Sequence, residues 1–181
     1  IPSMMITDVQ NTVTRGININ KGFTAWTCNR GQEADPSWMD DTVPLEFPVE
    51  PHLIRYPAAW WHQILVTRAH RKTEEDWFAP GTYATAIRWL QQNYTRDSFF
   101  LYLDTFDPHE PWDPPQWYED MYDPGFRGRR FDAPTYGIVK KLGYTPREVR
   151  NIRARYAGEV TMVDAALGRL LTTLDDLGIA D

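Results

Sequence analysis

Cysteine is nearly absent. Cys28 is the only one in 181 residues, so no internal disulfide can form and packing has to hold the chain together. No apolar run approaches the roughly 18 residues of a membrane span. No basic-then-apolar leader opens the chain. Positive charge is in deficit, with Lys and Arg at 19 against Asp and Glu at 25, a net charge of −6. A nucleic-acid partner calls for a basic face. The one short cluster, Arg127-Gly128-Arg129-Arg130, follows a turn and reads as a solvated loop, so no nucleic acid is expected. Regular periodicity is missing from about residue 10 to 58, where Gly16, Gly22, Gly31, Pro36, Pro44, Pro48, Pro51 and Pro57 punctuate the chain. A stretch that long without pattern is unusual in a compact domain, and it is either functional or packed on a neighbouring part.

What is present is concentrated in Ser98 to Pro115. An apolar run, Phe99 to Leu103, leads into a loop of acids, prolines and one histidine. Such a run fits a strand buried on both faces of a parallel sheet. Ligands of open α/β sheets bind beyond the carboxyl ends of the strands, which is where Asp104, Asp107 and His109 fall. The prolines at 108, 111, 114 and 115 fix φ and stiffen the loop. The acids Asp107, Glu110 and Asp113 are expected to raise the pKa of His109. Asp104 and Asp107 read as ties for the loop, bonding backbone amides.

Met4-Met5-Ile6 predicts a second strand, ending at Thr7-Asp8. A helix is predicted from about 74 to 93, opened by Thr73 and Asp76 as a capping box, with a kink or two short helices meeting at Pro80-Gly81. A long loop spans 104 to 144. The last helix, about 146 to 177, is the clearest: Thr145 as N-cap, Pro146 at N1, Glu148 at N3, apolar residues every three or four positions, and Gly178 as the stop. Gly158 marks a bend or break. Trp60-Trp61 reads as packing, while Trp112, Trp117, Tyr118 and Tyr122 read as cover for a core edge. Arg30, Gln32 and Glu33 either reach a cleft or pin the irregular segment.

The order strand, helix, strand, helix indicates an α/β layer fold. Two strands do not make a stable open sheet, and Ile1 is not an initiating methionine. The expectation is therefore an internal portion, 1–181, of a larger α/β domain.

Taken in order, several motifs resemble one family: Gly22-Phe23 with Trp26; Arg30-Gly31-Gln32-Glu33; Phe99 to Pro115; Tyr156-Ala157-Gly158-Glu159-Val160 with Asp164; Gly168-Arg169-Leu170-Leu171; and Leu177-Gly178. The chain resembles sulfatases of the alkaline-phosphatase-like superfamily, in a bacterial arylsulfatase-like branch. The resemblance implies part of a sandwich with a mainly parallel sheet flanked by helices. It implies a parent that hydrolyses sulfate esters, small molecules or sulfated glycans, with a formylglycine nucleophile and a calcium or magnesium ion, in the periplasm or cytoplasm of a bacterium. His109 matches the family histidine that contacts the sulfate. Asp8 and Asn11 fall in another active-site loop, where relatives resemble Thr-Asp-x-x-His and this chain has Thr7-Asp8-Val9-Gln10-Asn11. Asn11 cannot act as a general acid.

Nucleophile and metal ligands are expected outside the segment. Thr27-Cys28-Asn29-Arg30-Gly31 lacks the Pro or Ala and the Arg of the family's Cys/Ser-x-Pro/Ala-x-Arg motif, and the doublets Asp40-Asp41 and Asp175-Asp176 read as surface charge. Two readings stay open beside the sulfatase: a phosphonate or phosphate ester hydrolase of the same superfamily, and a non-catalytic binding or structural module on the same scaffold.

Overall fold

The computed structural model describes residues 1–14 and 16–180. Three parallel strands, β1 (Ser3–Thr7), β2 (Ala25–Cys28) and β3 (Phe100–Asp104), form one sheet in the order β2-β1-β3. The central strand sets the register, with Ile6 beside Thr27 and Leu103, and Met5 beside Trp26 and Tyr102. The described residues also form the α-helices α1 (Gln10–Val13), α2 (Ala58–Ala69), α3 (Phe78–Asn93), α4 (Gln116–Asp120), α5 (Val139–Leu142) and α6 (Pro146–Asp176). This is an α/β fold consistent with part of an alkaline-phosphatase-like domain.

Alternation along the strands sorts the sheet into two unlike faces. Met4, Ile6, Leu101 and Leu103 join Ala79, Tyr83, Ala86 and Leu90 of α3 and Ala166 and Leu170 of α6 in one core. The opposite face carries Trp26, Phe100 and Tyr102 in the open, with Phe23 stacked on Phe100 and tilted against Tyr102. The strand at 99–103 is therefore not buried on both faces, because both long helices lie on the leucine side.

A second core sits away from the sheet. Val49, Leu53, Ile54 and Tyr56 pack with Trp61 and Ile64 of α2, with Phe131, Ala133 and Tyr144, and against Val149 and Ile152 of α6. Backbone bonds stitch its two loops together, Arg55 N–H to Ala133 O at 3.0 Å and Thr135 N–H to Leu53 O at 3.0 Å. Much of the irregular stretch thus packs on a neighbour. It also contains β2 and a 3-10 turn at Pro51–Leu53.

Local chemistry explains the helix limits. Thr145 accepts from Glu148 N–H while the Glu148 carboxylate takes Thr145 N–H, and Pro146 occupies N1. At the other end Gly178, at φ +69°, donates to Asp175 O, and Ile179 donates to Leu174 O, the paired bonds of a Schellman stop. Gly158 does not break α6. It lets the helix approach its neighbour, since a Cβ there would lie 3.0 Å from Pro114 Cγ and 3.2 Å from Glu119 N. Nor does Pro80 kink α3. It falls in the first turn, where no intrahelical donor is needed. The capping box of Thr73 and Asp76 closes a short 3-10 turn, Glu74–Asp76, just ahead of α3.

Arg127 and Gly128 are exposed, as a solvated loop requires, while Arg129 and Arg130 are half-buried and paired. Arg129 Nε meets Glu148 at 2.7 Å and its Nη1 meets Glu50 at 3.1 Å, while Arg130 reaches Gln116 at 2.5 Å. No helix among the described residues is long and apolar enough to cross a membrane.

Candidate active-site cleft

The carboxyl ends of the three strands open onto a cleft of about 290 Å³. Its wall comes from three connections: Val9, Gln10 and Asn11 after β1, Gln32 to Pro36 after β2, and Phe106 after β3, with Trp60 of α2 closing one side. This is the crevice position expected of an open parallel sheet.

Asp8 holds the β1 and β3 connections together. It is fully buried, and its carboxylate accepts from Thr82 Oγ1 at 2.9 Å, Thr105 Oγ1 at 2.8 Å and Phe106 N–H at 2.7 Å. Burial pushes its pKa up to about 6, against these three donors. Asp8 therefore lies beneath the cleft and braces it, rather than standing on its wall. Asn11 is on the wall and exposed.

The β2 connection is a tight turn. Asp35 N–H bonds to Gln32 O at 3.1 Å, and the Asp35 carboxylate caps Gly31 N–H at 2.9 Å and pairs with Arg30. Arg30 is thus committed to the turn, while Gln32 and Glu33 reach the cleft. Glu33 sits at φ +53°, a left-handed conformation that costs an L-residue about 1–2 kcal/mol. Its carboxylate accepts from Tyr56 Oη–H at 2.9 Å. Glycine would sit at this turn position without strain, so a strained glutamate on a cleft wall points to function.

Asp107 is tied to other elements rather than to its own loop. It accepts from Gln32 Nε2 at 2.9 Å and weakly from Ala79 N–H at 3.4 Å. Burial, with repulsion from Asp8, lifts its pKa to about 7. The Asp104 carboxylate accepts weakly from Thr7 Oγ1, at 3.5 Å.

His109 stands beside the cleft, its ring 4.1 Å from that of Phe106. Nδ1 lies 2.8 Å from Glu110 O. A carbonyl only accepts, so Nδ1 carries a proton and the neutral ring presents Nε2 as a lone pair. The pKa is lowered below 6.5, not raised: burial dominates, Glu33 opposes it, and Arg55 adds to it. The acids expected to raise it are shared with or held by other groups, although one Glu110 carboxylate oxygen still lies 3.6 Å from Nδ1. Glu110 pairs with Arg55 and Tyr136, and Asp113 pairs with Arg68 and Arg71.

The tryptophan pair divides. Trp61 is fully buried, as expected of packing, but Trp60 is 51% exposed on the cleft. Tyr118 is buried, whereas Trp117 and Tyr122 remain open.

The family model described as Sulfatase matches residues 8–181. This chain belongs to the sulfatase family. It is also similar to an arylsulfatase of Clostridium perfringens (strain 13 / Type A), 28% identical over 110 residues. That alignment covers 51% of this chain and 22% of the relative, so the matched region is about a fifth of the relative's length.

Sulfatases as a family use a metal ion and a formylglycine, and the described residues of this sulfatase segment do not fit either group. No three His, Cys, Asp or Glu side chains among them gather as a metal cage. Asp8, Asp35 and Asp107 spend their oxygens on protein donors. Cys28 is half-buried, with its thiol pushed up to about 11 by burial and the nearby Asp35 and Asp8, so it stays protonated.

Proposed function

We propose that this segment forms one wall of the active-site cleft of a sulfuric ester hydrolase, with His109 and Asn11 facing the sulfate end of the substrate. The observation that supports it most is the cleft itself, placed at the carboxyl ends of three parallel strands in a chain of the sulfatase family. The parent hydrolyses a sulfate ester, and its nucleophile and its calcium or magnesium ligands come from polypeptide outside these residues. No chemical step is assigned to this segment through either group.

The role of His109 follows from its tautomer. With Nδ1–H donated to Glu110 O, the ring offers a donor at Nε2 only as the imidazolium. Neutral His109 turns a lone pair toward an anion, which repels it. Sulfate contact therefore strengthens as pH falls below the depressed pKa, and bound sulfate in turn raises that pKa. Asn11 donates an amide N–H without charge. Asp8 acts indirectly, by holding Phe106 and Thr105 where the cleft needs them.

The first test is an NMR titration of the His109 ring in this chain with inorganic sulfate. The expected result is an upward shift of its pKa; no shift overturns the assignment. The second is His109→Ala in the full-length parent, where a fall in kcat/KM on a sulfate ester is expected and unchanged kinetics removes the residue. Relative rates on matched sulfate and phosphate esters separate the sulfatase from the phosphate ester reading.

A further inference from the structure

We propose that a second cavity, at the junction of α2, α4 and α6, binds an aromatic carboxylate. Its volume is about 410 Å³, and it shares no lining residue with the strand-end cleft, so the site is independent of the sulfate-ester reading.

Four arginines line it: Arg68 in the last turn of α2, Arg71 just beyond, Arg130 from the loop after α4, and Arg155 from α6. Two acids share the wall. Asp113 Oδ2 lies 2.5 Å from Arg68 Nε and 2.6 Å from Arg71 Nη1, while Asp132 takes Arg68 at 2.5 Å and Arg155 at 2.7 Å. Behind the wall, Glu119 takes Arg155 at 2.9 Å and stands 3.6 Å from Arg130. That sets three carboxylates against four guanidiniums. Glu159 is a fourth acid nearby and accepts from Asp113 N–H, but burial, with Asp107 and Asp113, pushes its pKa well up, so it adds least to the negative side. One positive charge is left over, which matches a monoanion better than a phosphate monoester.

The surplus can be traced to particular atoms. The guanidinium of Arg130 bonds a neutral group, the Gln116 amide oxygen, at 2.5 Å, and its side chain is 39% exposed. Deeper in, Arg68 Nη2 and Arg71 Nε are buried without a hydrogen-bond partner among the described residues. Arg71 is more than nine-tenths buried and lies 4.8 Å over the Trp77 ring, which holds its guanidinium in place. A buried N–H without an acceptor is costly, and an anion's oxygen relieves it. A carboxylate keeps its charge on two oxygens, where a sulfate ester spreads it over three, so the carboxylate is the stronger acceptor.

The rest of the wall selects the body of the ligand. Trp117, 52% exposed, and Pro48, Pro114 and Pro115 are its free apolar surface. Trp77 is committed to Arg71 and to Asp113 O, and Gln116 to Arg130 and Asp120. A small ion would leave the indole and the prolines wet, whereas a fused aromatic ring covers them.

The test is binding to the whole 181-residue chain, followed by NMR at the indole and guanidinium N–H groups, with 2-naphthoate, its neutral amide 2-naphthamide, 2-naphthyl sulfate and acetate as probes. 2-Naphthoate is expected to bind most tightly and to shift the Arg71 Nε–H and Trp117 indole signals. Arg130→Gln and Trp117→Ala should each weaken it by roughly tenfold. Circular dichroism of both variants checks that the fold is kept. No binding of 2-naphthoate, equal or tighter binding of any other probe, or indifference to both variants overturns the site. A response at His109 and Asn11 in place of Arg71 and Trp117 also overturns it, because the ligand then sits in the cleft.

Discussion

Two sets of buried acids face opposite ways in this molecule. Around the first half of α6, acids are held by arginines. Arg155 bonds Glu119 at 2.9 Å, Asp132 at 2.7 Å and Trp112 O at 2.8 Å, and Arg68 reaches Asp132 at 2.5 Å. Beneath the cleft, Asp8 and Asp107 are held by hydroxyls, an amide and backbone N–H groups. The pKa values separate accordingly. Asp132 is buried yet sits below the usual carboxylate range, because Arg155 and Arg68 outweigh burial. Glu148 falls to about 2, chiefly through Arg129. Asp8 and Asp107 rise to about 6 and about 7 because burial outweighs neutral donors. Glu159, one turn beyond Arg155, is also raised, by burial and the nearby Asp107 and Asp113, even with Arg71 close by. Burial alone does not set the direction of a carboxylate. The acids that fall accept hydrogen bonds from a guanidinium, whereas Arg71 spends its bond on Asp113 and its charge alone does not offset the burial of Glu159.

The sharpest way to break this contrast is to remove the central cation. Arg155→Met leaves Glu119 and Asp132 buried without their main partner and is expected to cost about 3–5 kcal/mol, read by urea unfolding. Double replacement with apolar residues at 119 and 155 should recover part of that loss.

The next effect is a pH dependence that runs in two directions. An aspartate with a raised folded pKa adds stability below 3.8, and that stability is lost as pH climbs through about 6 for Asp8 and about 7 for Asp107. The loss is on the order of 3 kcal/mol for Asp8 and about 4 kcal/mol for Asp107. Glu148 does the reverse: its contribution is present above 4.5 and is lost as pH falls through about 2. Thermal midpoints measured against pH should therefore peak in mild acid and decline toward neutrality. Asp8→Asn should flatten the decline, and an unchanged slope would contradict the burial argument.

Gly158→Ala tests the contact that holds the arginine-lined half of α6 against α4. The added methyl meets Pro114 and the backbone of Tyr118 and Glu119 at 3.0 to 3.2 Å, and a loss of about 1–3 kcal/mol is expected in the melt. Thr145→Ala is smaller, about 1 kcal/mol, because Glu148 keeps Arg129 when the cap is lost.

The parts of the fold that could be read from the sequence were those with a strict local code. Thr145-Pro146-Arg147-Glu148 and Gly178 marked both ends of α6, and Met4 to Asp8 with Phe99 to Leu103 marked two of the three strands. Helix α2 was missed because Trp60, Trp61, Ile64, Leu65 and Val66 run around the helix instead of down one face, which leaves no 3.6-residue signal. Strand β2 was missed because Ala25 and Trp26 are exposed, so no buried alternation forms. At the site, Asn11, Gln32 and Glu33 lie at strand ends and were within reach of sequence reasoning. Trp60 was not, since only the packing of Trp61 into the second core turns its neighbour outward. The lowered pKa of His109 was hidden for a similar reason. The neighbouring acids in sequence are neutralised in space, Glu110 by Arg55 and Asp113 by Arg68 and Arg71.

Helix α6 has one more consequence. Its Val149 and Ile152 belong to the loop core, and its Ala166 and Leu170 belong to the sheet core, on a single unbroken ladder of 31 residues. Neither core can open far without fraying the rod they share. The two should melt as one cooperative unit, with calorimetric and van't Hoff enthalpies in agreement.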